Sequence, residues 1–163
     1  MVKVIAHWET WAGWKNDPAY LKRILAYHRY VLQAFNINDF AIVDLDGDCP
    51  DAIDLNTNFS KHSNLIDALQ EHKNDKLVFL EAKTHIPADV PAMDARVYIH
   101  PANVVYILGP EYGWFDWDSL RDAGFLENAD VLYMDLPGQT PGSLMSHQAL
   151  AAILYQRISD SSI

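Results

Sequence analysis

The chain has a single cysteine, Cys49, in 163 residues, which excludes an internal disulfide and a cysteine-rich metal site. Cys49 also follows an acidic run that raises a thiol's pKa and disfavours a nucleophilic thiolate. No apolar run reaches the length of a membrane span, and the N-terminus lacks a signal-peptide pattern. The expectation is a protein of the reducing cytoplasm. Positive charge is scarce: 12 Lys and Arg stand against 22 Asp and Glu, for a net charge of −10. That balance argues against a broad nucleic-acid surface, which needs cations opposite the phosphates. Glycine is thinly spread as well. The first strand-to-helix loop, His7-Trp8-Glu9-Thr10-Trp11-Ala12-Gly13-Trp14, has one glycine and three tryptophans. It therefore lacks the phosphate-binding pattern of a flavodoxin-like or Rossmann-type nucleotide binder.

Metal chemistry finds no support. The histidines His7, His28, His62, His72, His85 and His100 show no ligand spacing with a carboxylate or with each other. The run Asp44-Leu45-Asp46-Gly47-Asp48 has the start of a calcium loop without the rest of it.

Hydrophobic residues make up 50% of the chain and aromatics 12%, enough for one compact α/β domain over residues 1–163. Val2 to Ala6 reads as a buried strand. Asp17-Pro18 then starts a helix, with Asp as cap and Pro in the first turn. Leu21, Ile24, Leu25, His28, Val31, Leu32 and Phe35 recur at helical spacing on one face, and Asn36 to Asp39 ends it. Phe40 to Val43 is the next strand, Pro50 to Phe59 a loop, and Leu65, Ile66 and Leu69 mark a short helix. Leu77 to Leu80 is a third strand, and Arg96-Val97-Tyr98-Ile99 a small edge element. Asp116 caps a helix from Trp117 to Ala123 that Gly124 ends. Strands alternating with helices predict a mostly parallel sheet covered on both faces.

The most informative stretch is Val104-Val105-Tyr106-Ile107-Leu108-Gly109-Pro110-Glu111-Tyr112-Gly113. A short β-branched run breaks into a loop with glycines four apart, where backbone can approach a ligand. A second strand, Val131 to Leu136, exits into Pro137-Gly138, and Pro141-Gly142-Ser143-Leu144 leads into a long apolar helix from Ser143 to about Ser159. Ligands of parallel sheets sit beyond the carboxyl ends of the strands, so two such exits predict one site. The final helix is apolar nearly all round and must be buried; in so small a domain a subunit interface is a reasonable place for part of it.

These residues resemble the TrmH-like branch of the SPOUT RNA methyltransferases over roughly Val104 to Gln156. Gly109-Pro110-Glu111-Tyr112-Gly113 is similar to that family's Gly-Pro-Glu-x-x-Gly, and Leu136-Pro137-Gly138 to its Ile-Pro-Met. Ser143-Leu144-Met145, Ala149 to Ala152 and Leu154-Tyr155-Gln156 stand where it has Ser-Leu-Asn and an alanine-rich helix ending Leu-Tyr-Glu. The resemblance implies a C-terminal deep trefoil knot, a homodimer packed through the terminal helix, and S-adenosylmethionine bound at Leu108, Gly109, Glu111, Gly113, Met134, Leu136, Gly138, Ser143 and Leu144. It also implies RNA, with tRNA among the candidates, as the methyl acceptor.

The catalytic positions depart from the family pattern. Its Asn and Arg on the first helix fall on Ile24 and Tyr30, with Arg29 one step round the helix. The Asn of Ser-Leu-Asn is Met145, and the following serine position is His147. The candidates left are Arg29 to orient the acceptor or lower its pKa, Glu111, and His147, which titrates near neutral pH. Each also has a purely structural role open to it: a helix face, a cap on backbone amides, a satisfied interface histidine. A knotted domain that has lost catalysis and keeps a binding or structural role is the competing reading. If RNA binds, Lys15, Lys22, Arg23 and Arg29 form the basic segment, and Trp8, Trp11 and Trp14 could stack bases or pack.

Overall fold

In a computed structural model of the protein, residues 1–8, 18–49, 58–111, 113–136 and 144–160 are described. Among these residues seven strands form one sheet: β1 (Val2–Trp8), β2 (Asp39–Asp44), β3 (Asn58–His62), β4 (Leu77–Leu80), β5 (Met93–Asp94), β6 (Val104–Leu108) and β7 (Asp130–Tyr133). Their order is β3-β2-β1-β6-β4-β7-β5, and each neighbouring pair is parallel. The helices are α1 (Pro18–Ala34), α2 (Leu65–Gln70), α3 (Trp117–Asp122) and α4 (Ser146–Asp160).

The central strands β4 and β6 are buried at every residue, as a parallel sheet covered on both faces requires. Side chains alternate across the pleat. Val4, Ala6, Phe40, Ile42, Val78, Tyr106 and Leu108 point to one face, where Leu25 and Leu32 of α1 and Leu150, Ile153 and Leu154 of α4 cover them. Ile5, Ala41, Phe79, Ile107 and Val131 point to the other, under Ala68 and Leu69 of α2 and Trp117 and Leu120 of α3. The expected α/β architecture is present, with two helices on each face.

Both helix ends foreseen at Asn36 and Gly124 close the same way. Asn36 adopts φ 54°; its N–H reaches Gln33 O at 3.2 Å and that of Ile37 reaches Leu32 O at 2.9 Å. Gly124 adopts φ 77°, with Gly124 N–H on Arg121 O at 2.9 Å and Phe125 N–H on Leu120 O at 3.0 Å. These are Schellman ends, which need a left-handed residue just past the helix. Asp116 caps α3 by accepting from Ser119 N–H at 3.1 Å.

Four expectations are corrected. The final helix opens at Ser146 rather than Ser143, and it is not buried all round: Gln148, Ala152, Tyr155 and Ile158 are exposed. The segment after Pro50 is not loop through Phe59: Asn58–His62 is the edge strand β3, paired with Asp39–Val43. It carries one apolar residue, Phe59, and is held by the backbone ladder, so it has no hydrophobic signature. Arg96 to Ile99 is not the edge element; that is Met93–Asp94, paired with Leu132–Tyr133. Asp94 accepts from Arg96 N–H at 2.9 Å and turns the chain into a 3-10 turn over Ala95–Val97 instead. The sixth-in-order strand of the sheet, β7, stops at Tyr133 rather than running to Leu136. The threading of a C-terminal knot depends on residues 137–143, which lie outside the described residues.

Candidate functional site

The carboxyl ends of β4, β6 and β7 meet at one edge of the sheet and are laced together by main-chain bonds. Gly109 N–H donates to Leu80 O at 3.0 Å, and Glu81 N–H donates to Leu132 O at 3.1 Å. Above this junction lies a cavity of about 320 Å³. Leu108, Gly109, Glu111, Gly113, Met134, Leu136 and Leu144 all line it. The residues chosen from sequence for a cofactor thus come together from three separate segments. Gly138 and Ser143 lie outside the described residues.

Glu111 joins two of those segments. Its carboxylate accepts from the backbone N–H of Ser146 at 3.0 Å and from the Ser146 hydroxyl. Ser146 opens α4, and the residue before it, Met145, has no oxygen with which to cap the helix. The acceptor for that free N–H comes from the β6 exit instead, a charge the helix start favours. Gln148 adds the other half of a cap by accepting from Met145 N–H at 2.9 Å. Behind Ser146, His28 Nε2 lies 2.9 Å from its hydroxyl oxygen. With that hydroxyl donating to Glu111, His28 must donate from Nε2. Burial raises the pKa of Glu111, while the two bonds from Ser146 pull it back down.

A second carboxylate lines the same cavity. Glu81 has a side chain only 5% exposed and accepts from Ala82 N–H at 2.8 Å and Phe115 N–H at 3.3 Å. His85 Nδ1 stands 3.5 Å from it. Burial raises the pKa of Glu81, against the opposing pull of these partners. Glu81 also explains Gly109. A Cβ at residue 109 would lie 2.8 Å from Glu81 Oε2. The glycine makes room for a protein carboxylate, where the sequence suggested close approach to a ligand.

His7, at the end of β1, donates from Nδ1 to Leu108 O at 2.9 Å and meets Phe115 edge-on. Burial depresses its pKa to about 4, so the ring is neutral at pH 7. It steadies the β6 exit as a dipole, without charge.

The other two catalytic candidates are not brought to the cavity. Arg29 sits on α1 with its guanidinium 5.0 Å from the centre of the Tyr30 ring, and is not among the lining residues. His147 packs beside Tyr27 and His28, with ring centres 5.0 and 5.7 Å away. Burial lowers its pKa, and its Nδ1 has no hydrogen-bond partner among the described residues. Of the aromatic and basic residues considered for RNA, Trp8 is buried and gives its indole N–H to Asp48 at 2.8 Å. Trp11, Trp14 and Lys15 lie outside the described residues, and Arg23 is exposed.

Ser146, His28, Glu81 and His85 escape a motif-based reading. Ser146 falls one place before the position where the family pattern has its serine, and His28 hides on the apolar stripe of α1. Glu81 was within reach: it directly follows a buried strand, at the edge where ligands of parallel sheets bind.

No family model and no curated protein matches the chain by sequence. Solved structures do match by shape. The A. aeolicus TrmH/SpoU tRNA modifying enzyme superposes with a TM-score of 0.68 at 14% identity, over 99% of this chain and 75% of that one. A structure described for 2-OH methylation of C/U34 on tRNA gives 0.67 at 12% identity, over 99% and 96%. TrmJ from Z. mobilis gives 0.61 at 14% identity, over 96% and 68%. The chain thus has the α/β fold of the TrmH/SpoU-type RNA methyltransferases, the branch of the SPOUT superfamily that its C-terminal motifs resemble.

Proposed function

We propose that this protein is an S-adenosylmethionine-dependent RNA methyltransferase of SPOUT/TrmH type, with the cofactor held in the cavity between Leu108–Gly113, Met134–Leu136 and Leu144–Ala149. One observation carries the reading: residues selected by motif alone converge on one cavity, at the sheet edge where such a ligand belongs. The fit is physical. The cavity's size is that of a small-molecule site, and Leu80, Ala95, Leu108, Leu132, Met134, Leu136 and Leu144 make it largely apolar. Backbone groups at the strand exits and the two carboxylates supply its polar contacts. Gly138 and Ser143 complete the proposed binding set, and the C-terminal knot that the motifs imply belongs to the same reading.

The cofactor, when bound, supplies an activated methyl group; the chain's own residues must align the acceptor and take one proton from it. Glu111 is the candidate base. Its raised pKa moves it toward the operating range of a general base, and Ser146 and His28 hold it in place. Arg29 and His147 act, in this reading, only where a bound acceptor or a second subunit extends over α1 and the start of α4. A homodimer would pack through α4, where Tyr155 and Ile158 are exposed. RNA, tRNA included, is the proposed partner and the cytoplasm the proposed compartment; no helix among the described residues is long and apolar enough to cross a membrane.

A second reading has its own observation. Arg29 stays away from the cavity, no Lys or Arg lines it among the described residues, and the chain carries a net charge of −10. These fit a catalytically lapsed, dimeric binding or structural protein that keeps the fold. Calorimetry with S-adenosylmethionine, followed by transfer of labelled methyl to bulk RNA and tRNA, separates the two. Binding with transfer establishes the enzyme. Binding without transfer leaves the lapsed reading, and binding of neither the donor nor its demethylated product removes the cofactor from both.

A further inference from the structure

Glu81 is a buried acid to which the proposed chemistry gives no task. Its position is not accidental packing. Two backbone N–H groups, those of Ala82 and Phe115, hold the carboxylate from separate segments, and residue 109 is glycine where any side chain would strike it. A carboxylate offers about four acceptor positions, so these two contacts and His85 at 3.5 Å leave capacity for a ligand in the cavity that Glu81 lines.

The charge of the wall is one-sided. Among the described lining residues Glu81 and Glu111 are the acids, and neither Lys nor Arg is present. His85 is the lone basic side chain there, and it stands beside Glu81 itself. The cations nearby are engaged outside the lining: Lys83 lies 4.7 Å from the centre of the Tyr133 ring, and Arg96 pairs with Asp94 and Asp135. In a partly enclosed cavity a fixed carboxylate is less screened than at the open surface, so the net charge of a ligand counts.

We infer that Glu81 is a specificity-determining residue, which makes the cavity favour a ligand with a net positive charge over a neutral or phosphate-bearing one of the same shape. The inference rests on the cofactor reading above and deepens it. S-adenosylmethionine carries one positive charge more than its demethylated product, and a Glu81 wall reads that difference. An enzyme built this way holds its donor more tightly than the spent product.

The test is calorimetry on the full chain with S-adenosylmethionine, S-adenosylhomocysteine and ATP, for the wild type, Glu81→Gln and Glu81→Asp. The wild type is expected to prefer S-adenosylmethionine over S-adenosylhomocysteine by about tenfold or more, and to bind ATP weakest. Glu81→Gln should bring the ratio of the first two near one, chiefly by weakening the charged ligand, and Glu81→Asp should keep the preference. A measurement on the wild type alone guards against a variant that does not fold: sinefungin, whose protonated amine replaces the methyl sulfonium, should bind with S-adenosylmethionine and not with S-adenosylhomocysteine. Equal affinity of the wild type for charged and neutral ligands overturns the inference and leaves the cofactor site standing, as does a ratio that Glu81→Gln does not change. Binding of none of these ligands overturns both.

Discussion

Ser146 gives both its backbone N–H and its hydroxyl to the carboxylate of Glu111, 35 residues earlier in the chain. That one contact closes the gap between the exit of β6 and the start of α4, and so forms one wall of the cavity. Ser146→Ala removes a hydroxyl that serves Glu111 on one side and His28 on the other. The expected cost is about 1–3 kcal/mol in urea denaturation, because buried His28 and part-buried Glu111 lose a partner together. Ser146→Thr, which keeps the hydroxyl, should lose much less. A cost for Ser146→Ala below about 0.5 kcal/mol would mean that the contact contributes nothing to stability.

The relation between Gly109 and Glu81 predicts a coupling. Gly109→Ala places a Cβ against Glu81 Oε2, which Phe115 N–H holds in place. The clash is with the far end of a Glu side chain, which can shift, so the change should destabilise the protein by about 1 kcal/mol. In a Glu81→Ala background the same change should cost clearly less. A double-mutant cycle measures the difference, and strict additivity would contradict the steric account of the glycine.

These two contacts also mark how far the sequence could be read. The strands β1, β2, β4 and β6 announce themselves by apolar runs, and α1 and α3 by caps and end signals at Pro18, Asn36, Asp116 and Gly124. The cavity was legible because both strand exits carry turn residues. What stayed hidden depends on pairing across distance. β3 is polar and exists through its ladder with β2. Gly109 looks like a ligand-facing glycine until Glu81, 28 residues away, is seen against it. His28 reads as one more member of an apolar stripe until α4 packs on α1 and brings Ser146 to its Nε2.

His7 predicts a pH dependence. Its folded pKa of about 4 lies below the ordinary value near 6.5, so the unfolded chain binds the extra proton between those two pH values. The stability that neutral His7 contributes is full above pH 6.5 and is lost as pH falls toward 4. The loss is on the order of 2 kcal/mol for a part-buried ring. Glu81 and Glu111, with raised pKa values, act in the opposite sense: protonation favours the folded state as pH falls through their titration. The difference between wild type and His7→Asn isolates the histidine. Thermal unfolding at pH 7 and pH 5 should show a smaller acid-induced drop for His7→Asn; equal drops would contradict the assignment.

Asp116→Ala tests the frame apart from the site. Loss of the cap on α3 should cost about 1 kcal/mol and weaken ligand binding far less than Glu81→Gln does. The helix packs on the face opposite α4, and among the described residues its segment meets the site through Phe115 N–H on Glu81 and the Trp117 indole N–H on His85 O. Denaturation and calorimetry on the same sample check both halves.

The central claim is that the exits of β6 and β7 and the first turn of α4 make a single cofactor site. Amide chemical shifts of the labelled protein titrated with S-adenosylmethionine test it directly. The account predicts that Leu108 to Gly113, Met134 to Leu136 and Leu144 to Ala149 shift together with one dissociation constant, while α2 stays still. Saturating ligand that moves none of these amides, or only one of the three segments, would contradict it.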